Sequence, residues 1–147
     1  MAGQVVLIFT EGLVSFPAFA ALPPDRPLGW LLLGAGLLLL LAGGWLVYRG
    51  IDDLGRNLTA LPAPVRDATL VDDGVYARVR HPIYAGVITL GVGWAIALGS
   101  PAALLVAVLL AGWLDLKSRR EEVWLSEHHP GYAAYRSRTS RFVPGLY

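Results

Sequence analysis

Two long uncharged stretches dominate the chain. Leu28 to Tyr48 runs for 21 residues without a charged side chain and has an unbroken Leu37–Leu41 block at its centre. About 20 apolar residues at 1.5 Å each cross a hydrocarbon layer of ~30 Å, so this stretch predicts a transmembrane helix. Ile83 to Leu114 is uncharged for 32 residues, about 48 Å as one straight helix. Gly99-Ser100-Pro101 interrupts it. Glycine closes helices and proline opens them, so the pattern predicts a helical hairpin with arms Ile83–Leu98 and Pro101–Leu116. Gly91, Ala95 and Gly99 recur every four residues along the first arm, a stripe of small side chains that predicts close helix packing. Val5 to Leu22 is apolar but carries Glu11 and Pro17 and stops at Leu22-Pro23-Pro24. It reads as a kinked or shallow first span, in which Glu11 is either functional or a structural residue near an interface or hydrogen-bonded to a neighbouring helix.

These elements predict an all-α integral membrane protein in one domain, with about four transmembrane helices. The N-terminal helices occupy 1–50, a polar linker 51–82, the hairpin 83–116, and a helix with a tail 117–147. The linker and tail together form a cap.

Composition agrees. Of 147 residues, 55% belong to the apolar set and 16% are charged, against about 25% charged in soluble domains. A water-soluble globule of this length cannot hide so much apolar surface. There are no cysteines, which excludes disulfide scaffolds, thiol nucleophiles and Cys-ligated zinc. A net charge of +1 gives no reason to expect a nucleic-acid partner. The distribution of cations says more. Of the twelve Lys and Arg, all but Arg26 fall in Arg49–Arg80 or in Lys117–Arg141. The positive-inside rule places both segments, and with four spans both termini, on the cytoplasmic side.

Two polar clusters therefore meet over the cytoplasmic mouth of the hairpin. The first is Gly74-Val75-Tyr76-Ala77-Arg78-Val79-Arg80-His81-Pro82-Ile83-Tyr84. Pro82 suits the first position of a helix, whose free amides and dipole attract anions. Arg80 and His81 crowd the same end, where a carboxylate or phosphate is one reading and ordinary capping at a basic membrane edge is the other. Asp52 and Asp53 read as solvated caps or charge partners of Arg49 and Arg56. His128 and His129 are adjacent and show no spacing that pairs with His81 as a metal motif, so no metal is expected.

The second cluster is Asp115-Leu116-Lys117-Ser118-Arg119-Arg120-Glu121-Glu122-Val123-Trp124-Leu125, which extends the last span beyond the membrane. Ion pairs on an amphipathic interfacial helix account for Arg119, Arg120 and Glu122. They account less well for Glu121, which shares a face with Lys117, Trp124 and Leu125.

Together the clusters resemble the isoprenylcysteine carboxyl methyltransferases and their phospholipid methyltransferase relatives. The resemblance rests on L-V-x-x-G-V-Y-A-x-x-R-H-P-I-Y-A-G from Leu70 to Gly86, E-E-x-x-L at Glu121–Leu125, Y-x-x-Y at Tyr132–Tyr135 and R-F-V-P at Arg141–Pro144. It implies an enzyme that uses S-adenosylmethionine, held by Leu70, Val71, Tyr76, His81, Pro82, Ile83, Tyr84 and Glu121. It also implies catalytic roles for Glu121 and Lys117, with Lys117, one turn before Glu121, facing the substrate. The prenylcysteine enzymes carry Arg at that position, and Lys is a point charge rather than a planar fork. No G-x-G-x-x-G follows a strand, so the soluble dinucleotide-type cofactor site is absent.

The expected substrate is a lipophilic small molecule or isoprenoid-like compound presented by the membrane lipid, with carboxylate O-methylation favoured. Methylation of an amine or thiol by the same kind of site is an alternative and would need a base such as Glu121 or His81. A nicotinamide-dependent reductase lacks an evident phosphate clamp here. A non-enzymatic membrane interaction module predicts that His81, Tyr84 and Glu121 are dispensable for ligand binding.

Overall fold

The computed structural model describes residues 27–55 and 70–146. The first predicted span with Glu11, and Arg26, Arg56 and the Leu61–Pro64 segment, lie outside the described residues. Four α-helices follow in order: α1 Pro27–Leu54, α2 Pro82–Ala97, α3 Pro101–His128 and α4 Tyr132–Arg138. A 3-10 turn at Gly74–Ala77 precedes α2. Among the described residues the sole β-type pairing is the isolated bridge between Val79 and Ser140.

α1 and α3 each have 28 residues and are long and apolar enough to cross a membrane. α2, with 16, spans about 24 Å. α1 runs six residues past the uncharged stretch, to Leu54, so Arg49, Asp52 and Asp53 project from its last turns instead of beginning a linker. Much of its surface is bare: Leu31, Leu38 and Leu41 are 70% or more exposed, beside Trp30 and Trp45. Such a continuous apolar face is costly in water and suited to lipid.

The hairpin forms as the sequence predicts. Pro82 and Pro101 open their helices, Gly99 turns between them at φ +58°, and the Ser100 side chain caps α3 by accepting from the Ala103 amide at 3.2 Å. Gly91 and Ala95 are buried, but Gly99 belongs to the exposed turn. A further small-residue seam joins α2 to α1. α1 meets α2 through Gly36, Gly43 and Gly50, seven residues apart, opposite Ala97, Gly86 and Ile83. A Cβ on Gly36 would stand 2.5 Å from the Ala97 backbone nitrogen, and one on Gly43 would stand 2.8 Å from the Gly86 carbonyl. Without a hydrophobic drive inside lipid, such backbone approach is what holds helices together.

α3 continues unbroken from Pro101 to His128, carrying Asp115 to Leu125 out of the apolar zone on one rigid rod. Its inward face changes character along the way: Ala103, Ala107, Leu110 and Leu114 are buried, then Ser118 and Glu122. The tail folds back against this end. Arg80 and His81 donate backbone amides to the Ser140 and Arg141 carbonyls at 2.9 and 3.1 Å, and the Ser140 amide returns to the Arg78 carbonyl. Buried Tyr132 and Tyr135 fill the space behind, and the Tyr135 hydroxyl donates to the Tyr76 carbonyl at 2.9 Å.

Candidate active site at the hairpin mouth

The start of α2 and the distal part of α3 converge on the tandem Glu121–Glu122. Successive helical residues point about 100° apart, so the two carboxylates serve different neighbours. Glu121 is a third exposed. Its Oε1 accepts from the Tyr84 hydroxyl at 2.7 Å and lies 3.6 Å from Lys117 Nζ. Its Oε2 lies 3.7 Å from His81 Nδ1. His81 and Tyr84 stack nearly parallel, with centroids 5.4 Å apart, and Lys117 Nζ sits 4.8 Å over the Tyr84 ring. Side chains from two elements 37 residues apart thus form one half-open polar mouth, and its ring faces attract cations.

Glu122 is buried and faces the other way. Arg80 Nε donates to its Oε1 at 2.9 Å, and Arg141 grips both oxygens, through Nε at 3.2 Å and Nη2 at 3.1 Å. Arg136 Nε stands at 3.8 Å. His81 Nε2 comes within 3.4 Å of Oε1 but off the line of a hydrogen bond. Arg141 also reaches Asp115 at 3.0 Å, one of whose oxygens is bonded to Arg119. Burial pushes the Glu122 carboxyl upward, but His81, Arg141 and Arg80 around it outweigh that and hold it well below the usual carboxylate range.

Arg80 and His81 therefore meet an anion at the start of α2, as their crowding suggested, but the chain supplies it itself in Glu122. Arg80 Nη1 is further spent on carbonyl oxygens, that of Arg136 at 3.3 Å and that of Thr139. Glu122 is also more than the interfacial ion-pair residue expected from the sequence. It is the centre that pins the α2 start and the tail to α3. A signal was present: Asp115, Ser118 and Glu122 repeat at helical spacing on a face that is apolar one turn earlier, and a polar stripe on a buried face demands partners.

His81, Tyr84, Lys117 and Glu121 come together directly. Tyr76 joins from the 3-10 turn: burial, with the carboxylates of Asp53 and Glu121 adding, pushes its phenol up. Its hydroxyl is already used, donating to the Gly50 carbonyl at 3.2 Å. The Tyr84 hydroxyl is also used, donating to Glu121; the Tyr84 ring is half-buried and the Tyr76 ring buried. Pro82 and Ile83 seat against Gly50 of α1. Leu70 and Val71 are half-buried at the start of the second described segment. Asp53 is held by Arg49 at 3.0 Å and accepts from the Val75 amide at 2.8 Å, tying the 3-10 turn to α1. Among the described residues no three His, Asp or Glu side chains form a metal-sized group.

Comparison with known proteins covers most of this architecture. The Protein-S-isoprenylcysteine O-methyltransferase of Schizosaccharomyces pombe is 30% identical over 106 residues, 69% of this chain and 45% of that protein. The solved eukaryotic intramembrane Ras methyltransferase, an isoprenylcysteine carboxyl methyltransferase, matches with a TM-score of 0.75 and 25% identity over 99% of this chain and 53% of its own. The chain thus spans about half the length of these relatives, and the likeness to an intramembrane protein agrees with the all-α, lipid-suited surface. The family model described as phospholipid methyltransferase matches residues 31–131, from α1 through both glutamates, and on that match the chain belongs to the phospholipid methyltransferase family.

Proposed function

We propose that the protein is a membrane methyltransferase that takes its methyl group from S-adenosylmethionine and delivers it to the carboxylate of a lipophilic substrate at the cytoplasmic membrane face. The observation that carries this reading is the Glu121 mouth: one accessible carboxylate, fixed by Tyr84, beside two aromatic faces and a lysine.

The donor set fits this cofactor, which carries an ammonium, a carboxylate, an adenine and a sulfonium. Glu121 suits a cationic group, and the ring faces of Tyr76 and Tyr84 suit the sulfonium or the adenine. His81 and Lys117 give the mouth its donors, and Leu70, Val71, Pro82 and Ile83 are the apolar residues of the same segment. When bound, the group supplies a methyl on a positively charged sulfur. Methyl transfer is an in-line displacement, so the protein's contribution is alignment and exclusion of water.

Lys117, one turn before Glu121 and three residues past the uncharged stretch that ends at Leu114, offers a charge to a substrate carboxylate at the lipid boundary. A carboxylate is ionised at neutral pH and needs no base. Its charge is cancelled as it meets a sulfonium, and a poorly polarisable surrounding favours that cancellation. An amine nucleophile gains no such advantage. The names of the relatives, a Protein-S-isoprenylcysteine O-methyltransferase and an isoprenylcysteine carboxyl methyltransferase, support the carboxylate reading.

The test is calorimetry with S-adenosylhomocysteine on the detergent-solubilised chain, followed by transfer of labelled methyl into a lipid extract. Wild type binds, and Glu121→Ala and His81→Ala weaken binding by tenfold or more. A wild type that binds no more tightly than these variants refutes the reading. Label released as methanol by mild base marks a methyl ester, and base-stable label refutes the carboxylate assignment alone.

A further inference from the structure

On the side of the cap away from Glu121, an open groove of about 540 Å³ runs between the segment before α2 and the C-terminal tail. Arg78, Arg80, Arg136 and Arg138 line it with Thr139 and Ser140, and of these arginines Arg80 already gives its Nε and Nη1 to Glu122 and to the Arg136 and Thr139 carbonyls. No carboxylate is among its described lining residues. Some of this charge is compensated: Arg80 by Glu122, and Arg138 by an exposed pair with Asp72. Arg136 is half-exposed with Glu122 only at 3.8 Å. Arg78 is exposed and forms no ion pair among the described residues. Guanidinium groups converging on a concave surface match the oxygens of a phosphate.

The position of the groove selects the kind of phosphate. Arg141, at the inner end of the same tail, bonds to Asp115, the first charged residue after the apolar stretch of α3. Arg80 and Arg136 of the groove lining face Glu122, seven residues or ~10 Å along α3 beyond Asp115. Pro144, Gly145 and Leu146 also line it, and Leu146 is 81% exposed with Val143 close by in sequence at 48%. A cationic hollow with a bare apolar residue in its lining, at that distance from the apolar stretch, suits a ligand that is anionic at one end and hydrocarbon at the other.

We propose that this groove binds the phosphate headgroup of an anionic phospholipid from the cytoplasmic leaflet, anchoring the cap to the bilayer surface. The site is separate from the methyl-transfer mouth and does not depend on the function proposed for it. Arg80 lines the groove and also holds Glu122, so an occupied groove braces the segment that presents His81.

The test uses the full chain in nanodiscs of phosphatidylcholine alone or with 20% phosphatidylglycerol, with retained lipid counted by native mass spectrometry and thermal unfolding followed in parallel. Wild type retains phosphatidylglycerol over phosphatidylcholine and unfolds at a higher temperature when it is present. Arg78→Gln, at an exposed position whose side chain forms no ion pair among the described residues, removes a charge-assisted contact to the phosphate and lowers that retention about tenfold or more. Arg120→Gln, on exposed α3 outside the groove, removes the same charge and leaves retention within twofold. Equal losses in the two variants overturn the proposal, because they report general surface attraction. A stabilisation by 10 mM inorganic phosphate in phosphatidylcholine discs that matches the phosphatidylglycerol effect also overturns it, since the groove then reads free phosphate.

Discussion

Replacing Glu122 by Gln keeps the shape and one acceptor oxygen but removes the charge that two buried arginines share. Glu122 is 3% exposed, and the Arg80 and Arg141 side chains facing it are 8% and 10% exposed. Breaking a buried ion pair by removing one partner costs about 3–5 kcal/mol, because the remaining cations stay desolvated. Here the cost falls near the upper end, since Arg80 and Arg141 cannot reach water without releasing the tail. The comparison is Glu127→Gln, an exposed position near the end of the same helix, where a change within about 0.5 kcal/mol is expected. Tryptophan fluorescence through a denaturant titration in mild detergent measures both. A double-mutant cycle with Arg141→Gln then isolates the pair, with a coupling on the order of 1–3 kcal/mol. A Glu122→Gln cost no larger than that of Glu127→Gln, or a coupling near zero, refutes the claim that this network holds the cap to α3.

The same group sets an acid limit. The folded carboxyl of Glu122 lies below its ordinary value of 4.5, so its contribution is complete above that pH and is lost as the pH falls toward the lower folded value; wild type therefore loses stability below about pH 4.5, and Glu122→Gln flattens that slope in a pH series of melts. Tyr84→Phe deletes the 2.7 Å bond to Glu121, worth about 1.5–3 kcal/mol to a charged acceptor, and is expected to lower stability by up to that amount and to weaken S-adenosylhomocysteine binding roughly tenfold by calorimetry. On α1, Gly36→Ala drives a methyl into the Ala97 backbone and costs about 1–3 kcal/mol, whereas Gly44→Ala, with nothing within 4 Å, is neutral or slightly stabilising in the same unfolding assay.

The sequence exposed the two long apolar helices and the hairpin because lipid imposes a simple code of uncharged length, here broken by Gly-Ser-Pro. It exposed the mouth because His81, Tyr84, Lys117 and Glu121 belong to two compact clusters flanking one hairpin. It showed only part of the helix packing. Four-residue spacing drew attention to Gly91, Ala95 and Gly99, while the observed contact between α1 and α2 runs through Gly36, Gly43 and Gly50 opposite Gly86 and Ala97. A seven-residue recurrence inside a block rich in leucine is hard to see, because in lipid the outward face is as apolar as the inward one. The role of Glu122 was obscured for a different reason. Adjacent acids among basic residues look like a solvated stripe, and only the return of the tail, which places Arg141 against it, reveals a buried centre.

The division of labour between the two glutamates explains why the site tolerates its setting. Under the proposed function Glu121 has to stay available to a ligand, and it is held by the Tyr84 phenol and a half-exposed lysine one turn away while remaining a third exposed itself. A carboxylate that must hold elements together should be neutralised completely, and Glu122 has two arginines on it. Because they are neighbours on one rigid helix, the position of Glu121 is set by the grip on Glu122. The two positions make unequal demands on substitution. Asp at position 122 withdraws the carboxylate by one methylene, loosening Arg80 and Arg141 and with them the segment that carries His81. Asp at position 121 leaves those contacts alone and disturbs the mouth only. Cofactor affinity should therefore fall in both variants, with stability falling in Glu122→Asp alone. A Glu121→Asp protein as unstable as Glu122→Asp would mean that the two acids share one structural duty, and the separation of mouth from anchor would be wrong.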